Sequence, residues 1–137
     1  MIKSLLIMKD YLNAIIAGII VLGSLGLVLW SIPVRNQVKD NEIVVRFALG
    51  SRMKFDLSEV TFKPVPESAT RNLIRTNGTS LGKIQSGHFK NTKTGDKFLF
   101  YFTGKGQKVC FELDGKTYIV DLSEDDVAIL RKKYQGQ

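Results

Sequence analysis

Hydrophobic and polar positions divide the chain into an apolar N-terminal run and a longer part in which apolar and polar residues alternate over short distances. The run Leu12–Ile32 contains no charged residue, and Tyr11 and Trp30 lie near its two ends. About 20 apolar residues at 1.5 Å each match the roughly 30 Å hydrocarbon core of a bilayer, and amphipathic rings favour the interfaces. The pattern predicts a transmembrane helix over residues 11–32, after a short N-terminal tail at residues 1–10.

A cleaved signal peptide is the alternative interpretation of this run. The apolar part of a signal peptide normally extends over about 7–15 residues and ends at a site with two small residues at alternate positions. The observed run is longer, and the sequence LWSIPVRNQ around its end offers no such site. We therefore predict an uncleaved, single-pass anchor in a cell membrane.

The basic residues around the anchor predict its orientation. Two lysines precede the run, whereas four basic residues follow it closely: Arg35, Lys39, Arg46 and Arg52. Because cytoplasmic flanks are enriched in Lys and Arg, this asymmetry favours a cytoplasmic C-terminal part. Long domains translocate largely regardless of such charges, so the opposite orientation stays open.

After a linker predicted at residues 33–42, the pattern changes to an alternation with period two, which is typical of β-strands. The alternation predicts about seven short strands between residue 43 and residue 122. The least regular stretch, Val65–Leu81, is predicted as a loop with a short strand around Leu73–Arg75. Strands at this spacing indicate a sandwich or small barrel, so the predicted fold class is mainly β, within α+β.

The stretch from residue 97 to residue 120 carries the densest apolar pattern. Phe98, Phe100 and Phe102 would share one face of a strand, whereas Leu99 and Tyr101 would share the other. Apolar residues on both faces indicate a strand that is covered on both sides, or a sharply curved sheet around a core.

Two glycine-containing turns interrupt this stretch. Asp114-Gly115 lies between two apolar runs, and such a pair suits the type I′ turn, which needs positive φ at both central positions. Gly104-Lys105-Gly106 is predicted to reverse the chain in the same way. Together the two turns predict two consecutive β-hairpins at the centre of the sheet.

The C-terminal residues 124–134 have the pattern of a short amphipathic helix. Ser123 is a favourable N-cap, and acidic residues follow it while basic residues occupy the last turns, which matches the helix dipole. Val127, Leu130 and Tyr134 form a narrow apolar stripe. The helix is therefore expected to close one face or one end of the sheet.

The order of the predicted elements is similar to that of a known family of domains. This order is found in the stretch LGKIQSGHFKNTKTGDKFLFYFTGKGQKVCFELDGKTYIVDLSEDD. A glycine precedes an aromatic strand (Gly87–Phe89), and a turn, a second aromatic strand, a strand ending in Asp114-Gly115 and an acidic helix start follow. In this order the chain resembles the bacterial pleckstrin-homology-like (PH-like) domains of small membrane proteins, over roughly Ile43–Tyr134. The resemblance implies, within residues 43–137, a bent seven-stranded sheet or partial barrel capped by helix 124–134. It implies no catalytic residues, and a fold alone does not give a function.

Few residues are candidates for catalysis or metal binding. Cys110 is the only cysteine and lies between Val109 and Phe111, so we interpret it as a structural thiol. His88 is the only histidine, and catalysis by it would need a partner side chain placed by the fold. A metal site would need further ligands that the sequence does not cluster. We predict no catalytic residue, no cofactor and no metal.

Basic charge is the remaining functional signal. The chain has a formal net charge of +7. Six lysines flank the turns around the central stretch and are candidate lipid or partner contacts: Lys90, Lys93, Lys97, Lys105, Lys108 and Lys116. Near an anionic leaflet each such charge contributes about 1 kcal/mol, although lysines at turns also keep sheet edges soluble. No aromatic–basic platform for nucleic acid is present, so we predict no nucleic-acid partner.

These observations favour a non-enzymatic, membrane-anchored binding or assembly module with a PH-like domain, whose partner is another protein or a second copy of the chain. Contact with anionic lipid headgroups through the six lysines is the alternative. A small membrane-tethered enzyme that uses His88 is the third hypothesis and has the least support in the sequence.

Overall fold

The computed structural model describes residues 2–134 and shows an α+β protein with an N-terminal helix, two β-sheets and a C-terminal helix. This confirms the predicted fold class at the level of α+β. The described residues contain nine strands rather than about seven, and no sheet among them closes into a barrel. In chain order the elements are α1 (Ile2–Ser31), β1 (Pro33–Lys39), β2 (Glu42–Phe47), β3 (Arg52–Asp56), β4 (Thr61–Lys63), a short 3-10 helix (Glu67–Ala69), β5 (Leu73–Leu81), β6 (Ile84–Asn91), β7 (Lys97–Phe102), β8 (Gln107–Leu113), β9 (Lys116–Leu122) and α2 (Glu124–Tyr134).

Helix α1 is 30 residues long, or about 45 Å at 1.5 Å per residue. It begins at Ile2, so residues 2–10, predicted as a tail, continue the helix. The part Ser4–Ser31 is long and apolar enough to cross a membrane, and none of its most apolar window is buried inside the protein. A lipid environment would supply the apolar surroundings that the rest of the described chain does not provide.

Residues 33–42 are not a linker, because they form β1 and the turn into β2. Two contacts hold the junction between α1 and the sheets. The backbone N–H of Ala48 donates to the Ile32 carbonyl at 2.9 Å, and the hydroxyls of Ser31 and Thr79 hydrogen-bond to each other. The β domain therefore starts at Pro33, directly after the helix and without a spacer.

The first sheet is an antiparallel meander of β1, β2 and β3. Asp40 and Asn41, with φ of 51° and 62°, form the tight turn between β1 and β2, a geometry that these two residue types tolerate. Ile43, Val45 and Phe55 point from this sheet into the main core. Its other face is turned away from that core.

The second sheet has six strands in the order β4-β8-β9-β7-β6-β5. Asp114 and Gly115 both have positive φ, 52° and 75°, and join β8 and β9 as the predicted hairpin. β7 and β8 do not pair with each other: β9 lies between them and runs parallel to β7. The prediction of a hairpin at Gly104-Lys105-Gly106 was therefore wrong, because this segment crosses over the end of β9.

Strand β7 separates two hydrophobic cores, which confirms that it is covered on both faces. Leu99 and Tyr101 belong to the core between the two sheets. Phe98, Phe100 and Phe102 belong to a second core on the other face, where their rings stack. The segment that leads into β5 covers this second core with apolar side chains: Val65, Ala69 and Leu73.

Two further elements complete the domain. β5 extends over nine residues, Leu73–Leu81, where a loop with only a short strand was predicted. α2 begins after Ser123, whose side-chain oxygen accepts a hydrogen bond from the backbone N–H of Asp126 at 3.2 Å, as the N-cap pattern predicts. Leu130 and Val127 pack onto the main core, so α2 closes the side of the domain next to β1.

Candidate functional site

The structure divides the six predicted lysines between the two ends of the larger sheet. Four lie at the end where β6 finishes and where β7 and β9 begin: Lys90, Lys93, Lys97 and Lys116. Lys90 and Lys97 are direct cross-strand partners, and Lys97 and Lys116 line a shallow cavity of about 230 Å³. Like charges directly opposite each other repel, so this end of the sheet is a cationic surface.

Lys105 and Lys108 lie at the opposite end, together with a lysine that the sequence did not single out. Lys83, in the turn between β5 and β6, lies beside Gly104: a Cβ on that glycine would be 3.1 Å from the Lys83 Cβ. The Lys108 ammonium lies 5.0 Å from the centre of the Phe102 ring, a distance at which cation–π attraction operates. The predicted lysines therefore form two separate groups and not a single patch.

The segment Thr103–Lys105 binds a buried carboxylate. Asp121, near the end of β9, is only 4% exposed. Its Oδ1 accepts hydrogen bonds from the Thr103 N–H at 2.9 Å and the Thr103 hydroxyl at 3.1 Å. Its Oδ2 accepts from the backbone N–H groups of Gly104 at 2.9 Å and Lys105 at 3.0 Å. These bonds compensate for the burial of the carboxylate, and they fix the crossover segment over β9.

Asn36 of β1 connects the Asp121 node, formed by Asp121 and the segment Thr103–Lys105, to the smaller sheet. Its Nδ2 lies 2.8 Å from the Tyr101 carbonyl, 3.0 Å from the Asp121 carbonyl and 3.0 Å from the Asp121 Oδ1. The side chain is 8% exposed, and its Oδ1 is buried without a hydrogen-bond partner among residues 2–134. Asn36 and Asp121 therefore join β1, β7 and β9, and the sequence prediction singled out neither of them.

An open groove of about 700 Å³ runs between the edge strand β1, the crossover segment and the start of α2. It carries charges of both signs, since Arg35, Lys39 and Lys105 line it together with Asp125 and Asp126. Within residues 2–134, β1 pairs with β2 on one side only. Because an edge strand points alternate backbone groups away from its partner, the other side of β1 presents N–H and C=O groups toward this groove.

The ionisable groups with shifted pKa values do not form a catalytic arrangement. Burial raises the pKa of the Tyr101 and Tyr118 hydroxyls. The Lys63 pKa is raised chiefly by its hydrogen bond to Glu112, at 2.5 Å. None of these three groups lines the groove, and the described part of the chain contains no cluster of three His, Cys, Asp or Glu residues that could hold a metal ion.

His88 lies on β6 opposite Leu99 and is exposed. Its side chain lines the same shallow cavity as Lys97, Lys116 and Thr117, and it makes no side-chain hydrogen bond within residues 2–134. General base catalysis would require a hydrogen bond or a water bridge from the imidazole to a nucleophile. The surroundings of His88 thus supply cationic charge and one hydroxyl, but no oriented pair.

Cys110 is buried, 1% exposed, in the second core, and burial raises the pKa of its thiol. We expect a thiol reagent at pH 8 to label it about 100-fold more slowly in the folded chain than in denaturing urea. The folded protein holds the Cys110 thiol neutral. The buried thiol therefore contributes fully to the stability of the fold below the unfolded pKa of about 8.5, and this contribution is lost as the pH rises above that value.

The absorbance of the group that the reagent releases measures the rate at which Cys110 is labelled. An Ala48→Cys variant, which carries a second and exposed thiol, serves as the rapidly labelled control. Equal rates for the native and the unfolded Cys110 would contradict the closed packing of β8.

Comparison of the chain with protein families, with curated proteins and with solved structures finds no match in any of the three.

Proposed function

We propose that this chain is a non-enzymatic binding module, anchored in a cell membrane by α1, that holds a peptide-binding groove close to the membrane surface. The observation that carries the proposal is the groove beside β1, the strand that follows α1 without a spacer. A partner bound there would be held at a fixed height above the bilayer. The basic residues that follow the helix favour the cytoplasmic side for this domain.

The shape of the groove suits an extended protein segment. An added strand can pair with an exposed sheet edge through main-chain hydrogen bonds, and neighbouring side chains then select among sequences. Arg35 and Lys39 on one wall and Asp125 and Asp126 on the other offer partners for charges of either sign. The segment would come from another protein or from a second copy of this chain.

We also propose that the domain is related to the PH-like domains that its sequence resembles. The terminal helix α2, packed on the main core through Val127 and Leu130, supports this relationship. The parallel pairing of β7 with β9 is not part of the pattern that the resemblance implies.

Two other hypotheses have less support. For anionic lipid contact, only Lys105 and Lys108 of the six lysines lie at the end of the sheet near the α1 junction, so the six cannot act as one lipid site. For an enzyme, His88 has no hydrogen-bonded partner among the described residues, and its cavity holds only about 230 Å³.

Site-specific photo-crosslinking of the full chain in its native membrane tests the groove. A photoreactive residue in place of Arg35 or Asp125, both exposed in the groove, is expected to form a protein adduct. The same residue in place of Lys93, which is exposed at the far end of the domain, is the matched control and is expected to form none. An adduct of twice the chain's 15.4 kDa would identify a second copy as the partner.

Charge reversal adds a second criterion. Lys39→Glu is expected to reduce the adduct formed at position 125 about fivefold or more, since Lys39 lines the groove and a rim charge steers association, whereas Lys93→Glu is expected to leave it unchanged. Adducts of equal yield at positions 93, 35 and 125, or none in the groove, would contradict the proposal.

A further inference from the structure

Three arginine side chains form a row across the smaller sheet. Arg46 of β2 lies directly opposite Arg35 of β1 on one side and Arg52 of β3 on the other. Directly paired residues of an antiparallel sheet point to the same face. Their neighbours Ile43 and Val45 belong to the main core, and Arg46 differs by one position from Val45, so the arginine row lies on the outer face.

No acidic side chain neutralises the arginine row in the part of the chain that the structure describes. The ion pairs found there join Lys63 to Glu112 and Glu67 to Arg71. The Nε of Arg46 is buried and has no hydrogen-bond partner within residues 2–134. Like charges placed directly opposite each other and an unsatisfied buried donor both destabilise a sheet. An anion bound across the row would offset both effects.

The arginine row lies next to the junction with α1. Pro33, at the start of β1, pairs with Phe47, the residue after Arg46, and Ala48 hydrogen-bonds to the Ile32 carbonyl. Two or three residues of strand therefore separate the row from the end of the helix, about 10 Å at 3.3 Å per residue. At that height above a hydrocarbon core of about 30 Å, arginine side chains reach the headgroup layer.

Exposed apolar side chains surround the same junction. Between residues 32 and 133, five large apolar side chains are exposed: Val34, Leu49, Ile74, Leu81 and Ile129. Three of them are close to the helix end, since Val34 is the second residue of β1, Leu49 follows Ala48, and Leu81 lies in the same hairpin as Thr79, which bonds to Ser31. Scattered single apolar residues are ordinary, but a group around a membrane-length helix has lipid as its nearest apolar environment.

We propose that this end of the domain is a membrane-contact surface, in which the arginine row binds the phosphate groups of anionic lipid headgroups. Val34, Leu49 and Leu81 enter the interface around α1. The planar guanidinium fork binds phosphate oxygens in a bidentate geometry that an ammonium group does not match. The site rests on the membrane anchoring proposed above, and its position beside α1 selects a lipid phosphate rather than a free one.

The test uses the full chain in nanodiscs, with an environment-sensitive fluorophore on an Ala48→Cys variant; the buried Cys110 is expected to stay unlabelled. We expect the fluorophore to be about twofold brighter or more in discs of phosphatidylcholine with phosphatidylglycerol than in discs of phosphatidylcholine alone. The double variant Arg35→Gln/Arg52→Gln should abolish this difference. Arg46→Lys, which keeps the charge but loses the fork, should reduce it.

The matched control removes the same charge from the far end of the larger sheet, as Lys90→Gln/Lys97→Gln, and should retain the difference. Equal brightness in the two kinds of disc, or the same loss in the lysine control as in the arginine double variant, would overturn the proposal. So would millimolar inorganic phosphate that brightens the fluorophore in phosphatidylcholine discs at constant ionic strength, because the ligand would then be a free anion. A chain that does not remain with the discs would instead refute the anchoring itself.

Discussion

Replacing Asp121 by asparagine is expected to lower the free energy of unfolding by about 3 kcal/mol, because the donors that surround this buried carboxylate lose an acceptor. The carboxylate accepts bonds from three backbone N–H groups, the Thr103 hydroxyl and the Asn36 amide. An asparagine side chain keeps one acceptor oxygen, and its NH₂ group would face donors. At least one oxygen position therefore turns from an acceptor into a donor opposite two N–H groups.

Denaturation of the full chain in detergent micelles, followed by near-ultraviolet circular dichroism of the tyrosines, measures this loss. Asp114→Asn is the matched control, since it removes the same charge from an exposed turn position with φ of 52°, which asparagine tolerates. We expect it to change the stability by less than about 0.5 kcal/mol. Equal effects of the two substitutions would mean that net charge, and not the bonds to the crossover segment, is responsible.

The same node explains how the sheets are held in register. Asn36→Ala removes the amide that connects β1 to the Tyr101 and Asp121 carbonyls. Because Asn36 also contacts the Asp121 side chain at 3.0 Å, the two substitutions share a partner, and their effects should not add. Residues in one buried network couple by about 0.5–3 kcal/mol. β1 is thus fixed to the larger sheet by its polar side chain as well as by the main core.

Local sequence rules predicted the features that depend on neighbouring residues. The turn at Asp114-Gly115 follows from the tolerance of these residues for positive φ. The start of α2 follows from Ser123 and the acidic residues after it. The burial of β7 on both faces follows from the unbroken apolar run Phe98–Phe102. Each of these signals lies within a few residues of the feature that it specifies.

Strand β1 could not be recognised in the same way. Only Val34 and Val38 are apolar in its last six residues, which otherwise hold Arg35, Asn36, Gln37 and Lys39. It is a strand because it pairs with β2 and because Asn36 finds acceptors 65 and 85 positions further along the chain. A rule based on local alternation detects neither of these distant contacts. The segment was therefore predicted as a linker from its polar composition.

The order of strands in the larger sheet was also beyond the local pattern. Gly104-Lys105-Gly106 has the composition of a hairpin turn, and the choice between a hairpin and a crossover depends on where β9 pairs. One signal was available: Asp121 is a single carboxylate in the otherwise apolar end of β9. It indicates a buried polar contact, but its donors lie in the crossover segment, which an isolated strand pattern does not identify.

The candidate site shows the same limit. The sequence placed six candidate lysines at the turns around the central stretch, and the fold separates them into two groups by the length of β7. The arginine row is formed by three strands that are consecutive in the chain, yet its alignment depends on the register in which β2 pairs with β1 and with β3. A one-residue slip in that register would move a side chain to the opposite face, and composition does not reveal the register.

Substituting Gly106 by alanine is expected to lower the free energy of unfolding by about 3 kcal/mol or more, through a clash added to backbone strain. Gly106 has φ of +100°, and a Cβ there would lie 2.2 Å from the Leu122 carbonyl oxygen and 2.7 Å from its carbon. Both atoms belong to the backbone at the end of β9, next to Asp121, so neither can move without disturbing the node.

Gly95→Ala is the matched control, because Gly95 also has a positive φ, +78°, but no atom within 4 Å of the added Cβ. Both variants carry the strain of a left-handed alanine, about 1–2 kcal/mol, so the difference between them measures the contact with Leu122. The same denaturation measurement compares the two. A hairpin between β7 and β8 would leave the space around the added Cβ at Gly106 as free as at Gly95. The two substitutions would then lower the free energy of unfolding equally. A larger loss at Gly106 is the result that a crossover over the end of β9 requires.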